Sequence, residues 1–162
     1  DSAQGADSQL SRVYFDPAKY GTVTASSCAD YGVVESVKDG RRPESSADEV
    51  TNAWISYGES AKEWIQMVFD QPQILERIGL FWVSYDQIDT PVSWRMEYLK
   101  AGNWYPFEKY ITDVYGVSKD RYNTIHPSAK LSCEGLRINI DAQQGKSVGL
   151  FDIELNIVDE IN

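Results

Sequence analysis

The stretch Arg77–Asp89, RIGLFWVSYDQID, decides the fold. Ile78, Leu80 and Trp82 recur at every second position. That period fits a strand with one buried face; an amphipathic helix would return its apolar residues every three or four positions. Leu80 and Trp82 are therefore expected in the core, and Phe81 and Val83 on the opposite face beneath a neighbouring loop. Beyond Val83 the run turns polar and acidic, which places Tyr85 and Asp86 past the strand end. The same alternation spreads outward. SWRMEYL (93–99) sets Trp94, Met96 and Tyr98 against Arg95 and Glu97, and GLRINI (135–140) sets Leu136, Ile138 and Ile140 against Arg137 and Asn139. In EWIQMVF (63–69), Ile65, Met67 and Phe69 share a face, and the β-branched and aromatic content favours a strand over a helical turn.

Turn signals punctuate these runs. KAGNW (100–104) reads as a hairpin turn, and DQPQ (70–73) is expected to separate two strands. Short strands broken about every ten residues predict an all-β antiparallel sandwich or barrel whose loops carry the function. One strand departs from the pattern. In SVGLFDIELNIV (147–158) the apolar phase runs Val148, Leu150, then Ile153, Leu155, Ile157, so Asp152 falls where an inward side chain is due. A bulge is expected there, and a buried carboxylate needs a partner, a bound cation being one solution.

A chain of 162 residues suits one domain. Lys+Arg 15 against Asp+Glu 25 gives a net charge of -10, which opposes nucleic acid and anionic membrane surfaces. No apolar run approaches the length of a bilayer-spanning helix, so no membrane insertion is expected. The polar opening DSAQGADSQL reads as a linker. Residues 1–20 are accordingly expected to be a lead-in, and residues 21–162 a single module of a longer chain. Cys28 and Cys133 stand far apart without a cysteine framework, which favours unbridged thiols.

Most enzyme templates fail. The single histidine, His126, precedes Pro127 in a loop, and no GxSxG, HExxH, GxxxxGK[ST] or CxxC is present. A two-carboxylate glycosidase stays open on acid count alone. Asp39 before Gly40 is either an ordinary turn residue or one wall of a hard-cation site that Asp152 closes. Three clusters mix tyrosine with polar groups at loop positions: Tyr57 with Glu59 and Lys62, Tyr85 with Asp86, and Tyr115–Asn123 with Arg121. Sugars want this mixture, since their C–H faces stack on rings while their hydroxyls hydrogen-bond to Asp, Asn, Arg and Lys.

The landmarks KDGRRPESSADEVTNAW, EWIQMVFDQP, FWVSYD, PVSWRMEYLKAGNWYPF, YGVSKDRYNTI, GLRINI and GLFDIEL, in this order over residues 22–158, resemble the discoidin or coagulation-factor type C domains. The likeness points especially to the carbohydrate-binding modules of that galactose-binding-like superfamily, appended to bacterial glycoside hydrolases such as family 2 β-galactosidases. The resemblance implies a jelly-roll β-sandwich with one structural calcium and a sugar site among the loops at one end. By position, Asp39 matches the calcium-ligating acid of the Asp-Gly turn. Asp152 stands where Glu is usual, and carbonyls near Ser36 and Glu44 would complete the shell. Trp54 matches a core aromatic, and Tyr57 stands where relatives carry tryptophan.

The expected role is a non-catalytic module that holds a secreted glycoside hydrolase on galactose-containing glycans. Its ligand residues would be Tyr57, Glu59, Lys62, Tyr85, Asp86, Arg121 and Asn123. It would act as a monomeric unit of a larger extracellular or cell-surface protein. The alternative is an adhesion or protein-binding domain of discoidin type.

Overall fold

The alternating runs become paired strands. The computed structural model describes residues 12–13 and 20–159. Its strands are β1 Arg12–Val13, β2 Thr22–Ala25, β3 Trp54–Ile55, β4 Lys62–Leu75, β5 Ile78–Trp82, β6 Ser93–Lys100, β7 Asn103–Pro106, β8 Asn123–Ile125, β9 Leu131–Asp141, β10 Gly149–Leu155 and β11 Val158–Asp159. One sheet runs β2-β4-β9-β6-β7, a second runs β3-β10-β5-β8, and β1 pairs with β11. The pairings are antiparallel. This is the all-β sandwich the alternation predicts.

Between the sheets, Ile65, Met67, Trp94, Met96, Leu136 and Ile138 from the first meet Leu80, Trp82, Leu150, Ile153 and Leu155 from the second. Each such side chain contributes roughly 1.5–3 kcal/mol on burial, so these rows supply most of the folding drive. A second apolar layer lies on the outer face of the smaller sheet, where Phe81, Val83 and Phe151 pack with Ala29, Ala53, Ile55 and Ile88. Phe81 and Val83 are thus covered by the segment around β3 and by the loop after β5, as the pattern predicts.

Two departures have local causes. DQPQ does not end a strand: β4 runs through it, and its register against β9 slips between Val68 and Gln73, a bulge that leaves Gln71 and Pro72 exposed. In β10 the register against β5 shifts between Leu150 and Asp152. The extra residue turns Asp152 to the outer face beside Phe81, away from the inter-sheet core, which corrects the inward placement. The expected 1–20 lead-in lies mostly outside the described residues. Within it, Arg12–Val13 pairs with β11, and Tyr20 is buried, its hydroxyl donating to the Ile153 carbonyl (3.3 Å) and accepting from the Leu155 N–H (3.1 Å).

Both cysteines are free thiols, and burial pushes that of Cys133 up to about 11. The β6–β7 hairpin turns at Ala101 and Gly102, both at positive φ (51° and 81°). No helix among the described residues is long and apolar enough to cross a membrane.

Candidate functional site

Strand ends decide which loops meet. Lys62, Asp141 and Ser93 share one rung of the larger sheet, while Gly149 pairs with Ile55 and Leu150 with Trp82 in the smaller. Loops 26–33, 56–61, 83–92 and 142–148 therefore gather at one end of the sandwich. Ser147 ties two of them together. Its N–H donates to the Gln87 carbonyl (2.9 Å), its own carbonyl accepts from Asp89 N–H (3.0 Å), and the Ser56 N–H reaches the adjacent Val148 carbonyl (2.9 Å). Gly58 packs so closely on this loop that a Cβ there would lie 2.7 Å from Ser147 Oγ.

Tyr57 and Tyr85 are brought to the same end. Tyr57 is 56% exposed, and its N–H is held by Ser27 Oγ (3.1 Å). Tyr85 is half-buried and makes paired backbone bonds with Ile88 (3.1 and 3.0 Å) around Asp86, whose φ of 55° closes the turn. Burial raises the Tyr85 hydroxyl above its ordinary range, and Glu49, Tyr31, Asp86 and Asp48 add to the shift. Its surroundings are thus carboxylates and a second ring. Tyr31, 68% exposed, is the site residue that sequence reasoning missed. Its context, ADYG, sets an acid beside a tyrosine, as the Tyr85–Asp86 pair does. Glu59 and Asp86 are exposed at the same end.

The remaining ligand candidates are placed differently. Lys62 is ion-paired with Asp141, whose other oxygen accepts from Ser93 Oγ, so it closes the first rung of the sheet. Asn123 is buried. Its amide donates to the carbonyls of Ser118 (3.0 Å) and Leu80 (3.3 Å), and its Oδ1 accepts from the Ser118 N–H (2.9 Å). Its amide and Oδ1 are thus taken up by the loop before β8, while the residue also lines the depression beside Arg121. That loop in turn caps the core, because the Gly116 carbonyl accepts the indole N–H groups of both Trp82 (3.1 Å) and Trp94 (2.7 Å). Arg121 is exposed and lines a shallow depression of about 280 Å³ with Val114, Ser118, Asn123 and Thr124; neither Tyr57 nor Tyr85 lines it. The loop before β8 does meet the Tyr85 loop through Ser46. Asp120 and Ser46 exchange hydrogen bonds (both 2.8 Å), and the Ser46 carbonyl accepts the Ser84 N–H (2.7 Å).

Both carboxylates of the expected metal pair have hydrogen-bond partners within the chain. Asp152 is 1% exposed, and the Tyr122 hydroxyl donates to its Oδ2 at 2.5 Å. Burial pushes its carboxyl up to about 8, against the Tyr122 hydrogen bond and Arg42. Asp39 is exposed, and its Oδ1 accepts the Arg41 N–H (2.9 Å), an Asx turn. Among the described residues no three His, Cys, Asp or Glu side chains gather as a metal group. Calcium takes six to eight oxygens, and this pair of carboxylates, one folded into its own Asx turn and the other accepting the Tyr122 hydroxyl, does not by itself form a side-chain cage for it.

No protein-family model and no curated relative matches this chain. Solved structures do share its architecture. The family 32 carbohydrate-binding module of Clostridium perfringens NanJ, in complex with galactose, superposes with a TM-score of 0.69 at 11% identity, over 89% of this chain and 98% of that one. Chitosan-binding module 1 of the Paenibacillus sp. IK-5 chitosanase/glucanase gives 0.66 at 16%, over 88% and 98%. CpGH89CBM32-5 of C. perfringens, in complex with GalNAc-β-1,3-galactose, gives 0.67 at 12%, over 86% and 96%. At these identities the likeness speaks for the scaffold, and the chain has the discoidin-like β-sandwich fold of the family 32 carbohydrate-binding modules.

Proposed function

We propose that this domain is a non-catalytic carbohydrate-binding module that holds a secreted, multimodular glycoside hydrolase on galactose-containing or related glycans. One observation carries the reading: exposed Tyr57 and Tyr31 and half-exposed Tyr85 converge at one loop end, among Glu59, Asp86 and Glu49. The scaffold is one on which proteins of similar shape hold galactose, GalNAc-galactose and chitosan. A ring at Tyr57 stacks on the sugar's C–H face, and the carboxylates accept hydrogen bonds from its hydroxyls. The enzyme alternative loses its best acid. Asp152, the carboxyl with raised proton affinity, is closed off at 1% exposure and cannot reach a glycosidic oxygen.

The test is affinity electrophoresis against immobilised galactosides and chitosan oligomers. A shallow site of this kind gives dissociation constants of about 10⁻⁶ to 10⁻³ M, or roughly -8 to -4 kcal/mol. Tyr57→Ala with Tyr85→Ala removes two stacking faces, each worth about 1 kcal/mol, and should weaken binding roughly 10- to 30-fold while the circular dichroism spectrum is kept. Undiminished retention in the double variant would remove the site from this loop end.

A further inference from the structure

On the outer face of β10, Asp152 and Glu154 stand two residues apart, 1% and 8% exposed. Carboxyls so closely placed and so little hydrated need a positive charge or a donor beside them. The chain supplies both. Arg42 Nε donates to Glu154 Oε2 at 2.7 Å and its Nη2 to Oε1 at 3.0 Å, a fork that engages both carboxylate oxygens. The same guanidinium lies 5.0 Å from the centroid of the Tyr122 ring, and the hydroxyl of that ring serves Asp152. Arg42 reaches β10 from the loop that follows Asp39, the turn whose carboxylate the resemblance assigns to calcium.

We propose that the guanidinium of Arg42 is the cation of this site and stands in for the calcium ion, so that the domain folds without metal. A divalent ion placed between Asp39 and Asp152 would lie close to the fixed positive charge that Arg42 brings to Glu154, and would have to compete with the Tyr122 hydroxyl for the Asp152 carboxylate. The guanidinium performs the mechanical task of an ion as well. It pins the loop between the 3-10 turn Val34–Lys38 and β3 onto the last long strand, across 112 residues of sequence.

The experiment is a thermal melt of the intact protein. After EGTA treatment the Tm should stay within about 1 °C, and calcium added to millimolar levels should leave it there. A ligand bound only to the native state would raise the Tm by mass action, so a saturating, calcium-specific rise of several degrees overturns the proposal. Arg42→Gln should lower the Tm by roughly 5 °C, since it strands a buried carboxylate. Glu154→Gln in that background should lower it by less than in the native chain. Strictly additive losses would show that the two groups are not coupled and would also overturn it. If Arg42→Gln does not fold, the calcium titration on the native chain decides alone.

Discussion

Substituting Gly58 by alanine separates the geometry of the proposed sugar site from the stability of the sandwich. Gly58 sits at φ +83°, and an added Cβ would come 2.7 Å from Ser147 Oγ. Two costs follow. An L-residue in the left-handed region costs about 1–2 kcal/mol, partly offset by the roughly 0.4–1 kcal/mol that the loss of glycine's freedom takes from the unfolded chain. The contact itself forces either the Ser147 hydroxyl to swing or the 57–59 turn to lift from the 142–148 loop. Gly102 is the internal control, because its φ is +81° and a Cβ there meets nothing within 4 Å. It lies at the far end of β6, about 26 Å along the strand from the site end. Both alanine variants should therefore lose about 1 kcal/mol, seen as a Tm fall of about 2–4 °C in a domain of this size. Gly58→Ala alone should also lose affinity, about 10-fold, because Tyr57 is carried away from the Tyr85 loop. The readout pairs calorimetry with glycan titration of each variant. Equal affinities for the two variants would refute the claim that the turn at Gly58 sets the ring positions, and an unshifted Tm in both would refute the strain argument.

Two further outcomes test the placement of single residues. Asn123→Ala should lower the Tm by about 5–10 °C, as its loop loses bonds worth roughly 2–3 kcal/mol, yet leave glycan affinity of the folded protein within two-fold; a selective loss of affinity would restore Asn123 as a ligand residue. Asp48 is held below the usual carboxylate range by the Thr51 hydroxyl first and then by the N–H groups of Thr51, Glu44 and Val50. Its folded-state pKa is depressed, so what it adds to the order of the 44–51 loop is complete above the unfolded-state value and is lost only as pH falls through the lower folded one. An NMR titration of its carboxyl carbon should show no midpoint near pH 4, and one found there would contradict the hydrogen-bonded turn.

The sheets were legible because their signal is periodic and local. Trp82, Trp94, Met96, Leu136 and Ile138 announce their faces by alternation alone, and the structure buries each of them between the two sheets. Bulges are less legible because one inserted residue reverses every later side chain. The sequence around Asp152 shows a broken phase, but whether Asp152 or Phe151 absorbs it depends on pairing with Trp82 and Phe81 some seventy residues earlier. DQPQ misleads for a related reason: a proline at a bulge keeps its strand when the missing donor falls where no partner waits.

The site divides along the same line between local and distant causes. Tyr85 could be placed because it lies just past a readable strand end, whereas the short strand before Tyr57 carries no alternation, and its meeting with the Tyr85 loop follows from how the strands pair. Asn123 shared that loop chemistry but is buried, since a polar residue at a strand start serves a ligand or its own loop according to which carbonyls surround it. Those carbonyls belong to Leu80 and Ser118, and only the folded backbone delivers them. Arg42 is the strongest case. In sequence it is one of two arginines after an Asp-Gly turn, with nothing to distinguish it from the exposed Arg41. Its meaning comes from Glu154, 112 residues away, and from a β10 bulge that had to turn Asp152 outward before a cation was needed on that face. A charge whose partner is set by a register shift is invisible to any window of sequence.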